Sequence, residues 1–268
     1  MTDTFATEAA APDIPAGALA SMEGWEATLA WSLVPERITW RLRAPAGEVR
    51  YLKVYHLSLG RELEAERERL NWAILRLPVP RVLAYGVDSE REWLLTAGLP
   101  GVTGLDASLG ADPARLVRQL GEGLRQLHAL PVDDCPFDHR LDKDIDLAER
   151  RVAAGLVEAE DFNADHRDLT PEAALARLRA LRPATEDLVV CHGDYCVPNV
   201  LFEDGRVSGY VDLGHLGVAD RWADLAVATW SVTWNLGPGW EDGSLAAYGV
   251  RRDPRKQAFY RLLYDLLP

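Results

Sequence analysis

The chemistry of this chain concentrates between Leu188 and Asp212, in the stretch LVVCHGDYCVPNVLFEDGRVSGYVD. Asp194 follows the apolar run Leu188 to Cys191, Asn199 stands shortly after it, and Asp212 closes the stretch. Asp204-Gly205, set between Val200-Leu201-Phe202 and Val207 to Val211, is a two-residue hairpin signal, because a type I′ turn needs positive φ at both central positions. Such a turn puts Asn199 opposite Tyr210 and Asp212 opposite Val197, so that one amide oxygen and one carboxylate emerge at the same open end of a hairpin, with Asp194 on the loop beside them. Hard oxygen ligands in low number suit Mg²⁺, which takes one or two carboxylates and completes its octahedron with water and phosphate oxygens. Two polar turns flanking a hairpin, with no ligand, is the competing interpretation.

A second cluster lies earlier. Residues Val49 to Tyr55 alternate as a strand, with Val49, Tyr51, Lys53 and Tyr55 on one face and Arg50, Leu52 and Val54 on the other. Lys53 on an apolar face requires a partner or a ligand, since an unpaired buried ammonium is costly. A helix expected over Arg61 to Leu77, with the stripe Leu63, Leu70, Ile74 and Leu77, carries Glu66 on that same inward side. Alone, the pair is also consistent with a structural salt bridge. Taken with His-Gly-Asp-x-x-x-x-Asn and the later Asp-x-Gly, it repeats the parts of a kinase site: an Asp that meets the acceptor hydroxyl, an Asn and an Asp on metal, and a Lys-Glu clamp on the α- and β-phosphates.

The elements that must hold these groups divide in two. From Trp25 to about Leu95 the pattern is strand-like apart from the one helix, which Pro78 and Pro80 end; strands are expected around Val82 to Tyr85 and Glu92 to Thr96. Leu99-Pro100-Gly101 is a turn signal where strand patterning stops. Beyond it helical stripes dominate: Leu116, Leu120, Leu124 and Leu127, then Ala174 to Leu181, then Phe259, Leu262, Leu263 and Leu266. The expectation is an α+β fold, with a flexible tail over residues 1–22, a small mixed-sheet lobe over 23–98 and a larger, mainly helical lobe over 99–268.

Composition narrows the partners. The chain has 268 residues, 48% apolar and 26% charged, which excludes disorder and coiled coil. Its net charge of -13 has the wrong sign for holding a nucleic-acid backbone and favours a cationic partner. Cys135, Cys191 and Cys196 are too few for a disulfide framework and form no C-x-x-C pair. Met1 to Ala20 lacks Lys and Arg and resembles no signal peptide, and no run reaches the roughly 18 apolar residues of a membrane helix. A cytoplasmic protein with neither membrane nor nucleic-acid partner is expected.

With these residues in place, the chain resembles the aminoglycoside phosphotransferases, and among them the 3′-phosphotransferases, over about Trp25 to Leu267. The carriers are EDLVVCHGDYCVPNVLF, SGYVDLGHLGVADRWADLA, WLLTAGLPGV, LHALPVDDCPF, AAGLVEAEDF and AFYRLLYDLL. The resemblance implies a two-lobed, protein-kinase-like fold and a Mg²⁺-dependent transfer of the γ-phosphate of ATP, or of GTP, to an aminoglycoside hydroxyl, hence antibiotic resistance. It implies Asp194 as the catalytic Asp, Asn199 and Asp212 as magnesium ligands, Lys53 and Glu66 on the phosphates, Tyr51 against the adenine, and the Ala97 to Leu99 backbone on the base. His192 is expected to brace the loop. For the antibiotic, the resemblance points to Asp161, Asn163, Asp165 and Asp265. Trp230 and Trp234, four apart on one helix face, read first as core, with Trp230 stacking on a sugar ring of the substrate as the alternative.

Several positions depart from the family pattern. Leu33 to Trp40, where a phosphate-covering loop is expected, has no glycine and carries Pro35; His215 stands for the usual Arg; and Tyr264-Asp265 stands for an acidic pair. A thinner acidic lining leaves open a kinase for another acceptor, such as a streptomycin 3″-phosphotransferase, a macrolide phosphotransferase or a choline-type kinase. A hydrolytic metal centre built on His192, Asp194 and Asp212 lacks further ligands at helical spacing. A nucleotide-binding protein without catalysis disagrees with the complete Lys, Glu, Asp, Asn and Asp set, and a P-loop enzyme with the absence of G-x-x-x-x-G-K-[ST].

Overall fold

The computed structural model describes residues 14–19, 24–33 and 36–268. The chain forms two compact units, one running to Pro100 and including Tyr210–Gly214, the other made of Gly101–Gly209 and His215–Pro268. Asp212 therefore belongs with the first unit rather than with the helical one, where the 98/99 division had put it. Tyr210 ties this excursion down by donating its N–H to the Pro78 carbonyl at 3.0 Å.

In the first unit, α1 (Ala16–Leu19) precedes β1 (Glu26–Leu33), β2 (Arg37–Arg43), β3 (Val49–His56), α2 (Glu62–Ala73), β4 (Val82–Val87) and β5 (Arg91–Ala97). The sheet order is β1-β2-β3-β5-β4 and every neighbouring pair is antiparallel. The expected mixed sheet is thus corrected: β3 and β4, which the α2 crossover leaves parallel, are kept apart by β5. The main core also lies on the face opposite to Lys53, where Leu52 and Val54 pack with Trp40, Leu42, Trp93 and Leu95. Ile14 and Ala18 are buried in that cluster, so residues 14–19 of the segment expected to be a flexible tail pack on the sheet. Residues 1–13 and 20–23, and Val34 and Pro35 of the expected phosphate-covering loop, lie outside the described residues.

The Lys53 face of the sheet is covered by α2. Lys53 pairs with Leu94 and Tyr55 with Glu92, and Glu92, fully buried, accepts from the α2 backbone amides of Leu63 at 2.7 Å and Glu64 at 3.2 Å. A carboxylate on the open amides of a helix N-terminus satisfies orphan donors and the helix dipole together. It replaces a side-chain cap from Arg61, which makes none, and fixes where Glu66 points. The helix stops at Ala73, short of the expected Leu77, so Leu63, Glu66, Leu70 and Ala73 are buried while Ile74 is exposed.

In the second unit, β6 (Val102–Thr103), α3 (Pro113–Leu127), α4 (Leu141–Ala153) and α5 (Pro171–Leu181) lead to β7 (Leu188–Cys191), β8 (Val200–Glu203), β9 (Arg206–Tyr210) and β10 (Gly217–Asp220). Helices α6 (Trp222–Leu236), α7 (Glu241–Tyr248) and α8 (Pro254–Leu266) complete it. Several starts are written in the sequence: Asp112, Thr170 and Asp253 cap α3, α5 and α8, each followed by a proline in the first turn. Helix α3 packs on α7 closely enough that a Cβ at Gly121 would lie 2.6 Å from the Ser244 carbonyl oxygen. Strands β7 and β10 pair antiparallel, and β6, β8 and β9 form a second small sheet. Among the described residues no helix is long and apolar enough to cross a membrane.

Candidate active site

In the first unit, Lys53 donates to both oxygens of Glu66, at 2.8 and 2.7 Å, and to Oδ1 of Asp212 at 2.9 Å. Burial works against the ammonium, but the Asp212 and Glu66 carboxylates outweigh it and hold the Lys53 pKa well above its ordinary value. Burial pushes Glu66 above the usual carboxylate range despite Lys53. The Glu66 side chain is buried while that of Asp212 is half-exposed. Lys53 is thus a charged anchor held from behind. Asp212 has φ of 64°, a left-handed conformation uncommon outside glycine and a form of strain that collects at functional sites.

Tyr51 shares the Lys53 face of β3 and is half-buried. At the end of β5, the Ala97 amide donates to Arg81 O and the Gly98 amide to Val49 O, both at 2.9 Å. The Ala97 to Leu99 segment is therefore pinned, and the N–H groups of Ala97 and Gly98 are committed within the sheet.

In the second unit the loop after β7 is clamped. Asp224, fully buried in the first turn of α6, accepts from the amides of His192 at 2.6 Å and Gly193 at 2.8 Å and from Nε2 of His128 at 2.9 Å. Nδ1 of His128 meets the Tyr248 hydroxyl at 2.8 Å. Burial alone would raise the Asp224 pKa, yet the hydrogen bond and charge of His128 and the His192 amide hold it below the ordinary value. Gly193 takes φ of 88°, and a Cβ there would lie 2.3 Å from the His215 carbonyl oxygen, so only glycine fits. The buried His192 ring accepts from the Asp194 amide at 3.3 Å, bracing the loop. Further along, the Val197 amide donates to Ser231 Oγ at 2.8 Å and the Tyr195 hydroxyl to the Leu120 carbonyl at 2.9 Å.

These clamps leave Asp194 held by its side chain. Asn199 Nδ2 donates to Asp194 Oδ2 at 2.8 Å and to its carbonyl at 3.1 Å, and the Tyr264 hydroxyl donates to Oδ1 at 3.1 Å. Asp204 and Gly205 have φ of 53° and 69°, the expected turn. The expected register does not extend to the site, however. Asn199 sits in a 3₁₀ turn over Val197–Asn199 and Asp212 lies past the end of β9. Asn199 is placed by Asp194, and Asp212 by Lys53. With its nitrogen committed, Asn199 turns its amide oxygen the other way. The Asn199 amide oxygen and the Asp212 carboxylate are each, by chemistry, the kind of hard oxygen donor that suits Mg²⁺.

The residues expected around an antibiotic separate into two kinds. Asp161 and Asp165 are exposed and Asn163 is half-buried. Asp265 corrects its expectation: its side chain is 2% exposed, and its oxygens accept from the backbone and side-chain amides of Asn163 and from His166 Nδ1. Enclosed in the fold, it ties the Asn163 loop to α8. Trp230 takes the core reading rather than the sugar-stacking alternative, being 3% exposed with Nε1 donating to Asp165 at 2.8 Å. It stacks on Trp234 at 5.2 Å and 27°, with Arg261 over its ring at 5.1 Å. The accessible aromatic is Trp234, 51% exposed.

Residues 36–260 match the phosphotransferase enzyme family. This chain belongs to that family. The phosphotransferase is 43% identical over 211 residues to an aminoglycoside 3′-phosphotransferase of Streptomyces fradiae, a match spanning 75% of this chain and 78% of the relative. It is similar to the crystal structure of aminoglycoside-3′-phosphotransferase of type VIII, with a TM-score of 0.83 and 34% identity over 91% of this chain and 94% of that one. It is also similar to the aminoglycoside phosphotransferase APH(3″)-Id from Streptomyces rimosus in complex with ADP and streptomycin, with a TM-score of 0.76 and 31% identity over 93% and 94%. The fold is the kinase-like α+β fold of these enzymes.

Three supports of the phosphotransferase's loop escape a reading of the sequence: Asp224, His128 and Tyr264. An acid set between Trp222-Ala223 and the mostly apolar run Leu225 to Val232 of α6 was the available signal for Asp224. Nothing local marks His128 or Tyr264, whose partners lie 96 and 70 residues away.

Proposed function

We propose that this phosphotransferase moves the γ-phosphate of ATP, or of GTP, to the 3′-hydroxyl of an aminoglycoside and thereby confers resistance. The carrying observation is Asp194, a carboxylate held by the Asn199 amide on a loop that Asp224 fixes. Phosphoryl transfer asks little covalent chemistry of a protein, so positioning and charge stabilisation supply most of the rate. Asp194 orients the acceptor hydroxyl and takes its proton. Lys53, kept charged by Asp212 and Glu66, neutralises the nucleotide phosphates. Asn199 and Asp212 would hold Mg²⁺, which when bound offsets negative charge on the phosphates. Tyr51 is the aromatic for the base, and hydrogen bonding to it falls to the Ala97 carbonyl and the Leu99 amide, since the other donors of that segment are used.

The negative net charge suits a polycationic acceptor, whose local concentration carboxylates raise; Asp161, Asn163 and Asp165 remain as its contacts. We place the enzyme in the cytoplasm, where nucleoside triphosphate is available. A second acceptor, streptomycin at its 3″-hydroxyl, is favoured by the exposed Trp234 and by the internal use of Asp265, which leave fewer anions for ammonium groups. An ADP-release assay with kanamycin, a 3′-deoxy analogue of it, and streptomycin decides between them. Turnover with kanamycin and none with the 3′-deoxy analogue is the expected result. Turnover with the 3′-deoxy analogue removes the 3′ assignment, and no turnover with any of the three removes the aminoglycoside.

A further inference from the structure

Tyr264 lies on α8, immediately before the enclosed Asp265. Its hydroxyl donates to Oδ1 of Asp194 while Asn199 donates to Oδ2. The two oxygens of one carboxylate thus have donors from two elements far apart in sequence. The phenol is itself held in place. Its ring meets Trp230 edge-on at 6.4 Å and 78°, Leu263 and Leu266 bury their side of the helix, and Asp265 is tied to Asn163 and His166. Tyr264 is nevertheless 37% exposed, and with Asp194, Gly193 and His215 it lines a pocket of ≈ 140 Å³.

The physical consequence concerns the carboxylate plane. The terminal torsion of Asp is broad, so a carboxylate with a donor on one oxygen alone sweeps a wide range of orientations. A second donor on the other oxygen narrows it. We propose that Tyr264 is a positioning residue for the transfer reaction, its hydroxyl holding the Asp194 carboxylate plane so that a lone pair of Oδ1 faces the acceptor hydroxyl. This rests on Asp194 being the group that meets that hydroxyl. As the acceptor oxygen bonds to the γ-phosphorus, the bond from that phosphorus to the nucleoside diphosphate breaks and the diphosphate leaves with the electron pair. The acceptor proton passes to Asp194, and Tyr264 keeps its own.

Tyr264→Phe tests this, because it retains the ring and its contact with Trp230. The full-length enzyme is assayed with Mg-ATP and with kanamycin and streptomycin as acceptor probes. With the probe that turns over, kcat should fall about 10- to 100-fold, the factor equivalent to one charge-assisted hydrogen bond, while both KM values stay within about twofold. On an Asp194→Asn background the same change should cost nothing further, since the two side chains act as one unit. A wild-type or higher kcat in Tyr264→Phe overturns the proposal, because the phenol would then be a placeholder that the acceptor displaces. So does a full repeat of the loss on the Asp194→Asn background, which would mean that the phenol touches the acceptor itself. Wild-type turnover in Asp194→Asn alone overturns the assignment of Asp194 and this proposal with it, and is separable from the first outcome because it appears with Tyr264 intact.

Discussion

Replacing Asp224 by Asn tests whether the catalytic loop is held by charge or merely by shape. The two side chains are nearly isosteric, so packing is preserved and the change falls on hydrogen bonding. Oδ2 accepts from the His192 amide and His128 Nε2, and Oδ1 from the Gly193 amide. Whichever way the new amide group turns, its NH₂ faces at least one buried N–H and leaves it unsatisfied, while the remaining bonds lose their charge assistance. An unsatisfied buried donor costs roughly 1–3 kcal/mol and bonds to a charged group contribute roughly 1.5–3 kcal/mol, so a loss of about 3 kcal/mol is expected. For a unit of this size that lowers the melting temperature by about 6–12 °C. Relaxing His192 and Gly193 also shifts Asp194 directly, and a displacement on the order of 1 Å costs about 100-fold in rate. Thermal unfolding and the ADP-release assay report the two effects independently. A melting temperature within about 2 °C of wild type together with kcat within about threefold would show that the three bonds to Asp224 do not carry the loop. The pH dependence follows from the same group. Its folded pKa is held below the ordinary value, so the unfolded chain binds the proton more readily and the stabilisation is fully present above the unfolded value of about 3.9. It is lost as the pH falls through the lower folded value, and in Asp224→Asn the acid limb of the stability curve should be shallower.

Other substitutions probe the remaining parts. Asp194→Asn should lower kcat by roughly two or more orders of magnitude, the scale of a general base, with nucleotide affinity little changed; turnover within about threefold at saturating magnesium removes Asp194 from that role. Asp212→Ala should abolish magnesium-dependent nucleotide binding in a folded protein, because it removes an oxygen of the proposed metal set and a partner of Lys53; an unchanged calorimetric affinity for Mg-ATP defeats this. Replacing Asp161 and Asp165 together by Asn should raise the acceptor KM and flatten its rise with salt, since exposed charges are screened over about 10 Å at 0.1 M. A wild-type acceptor KM at low and high salt would move substrate capture elsewhere.

Much of the fold was legible because it is written in local patterns. The strand over 49–55 and the Asp204-Gly205 turn each depend on a few adjacent residues, and each is present. The pairing of Lys53 with Glu66 was legible too, because strand and helix periods put both on facing sides and a buried ammonium demands an anion. What failed were inferences that extended a local rule past its reach. The hairpin register was carried beyond the ends of β8 and β9 to Asn199 and Asp212, which are placed instead by Asp194 and Lys53. The sheet was expected to be mixed, but no local rule says that β5 inserts between β3 and β4 and makes every pairing antiparallel.

The sequence by itself singled out the set proposed to react. Asp194, Asn199, Asp212, Lys53 and Glu66 declare themselves by type and spacing, since metal, phosphate and hydroxyl each demand particular donors. Tertiary structure alone decided which acids are available to a ligand. Asp265 and Asp165 are the same residue type, yet one is enclosed by Asn163 and His166 while the other stands exposed. It also decided that Asp224, His128 and Tyr264 serve the loop of Asp194, through contacts spanning 31 to 96 residues. A side chain's chemistry is a property of the residue, whereas its burial and its partners are properties of everything folded around it.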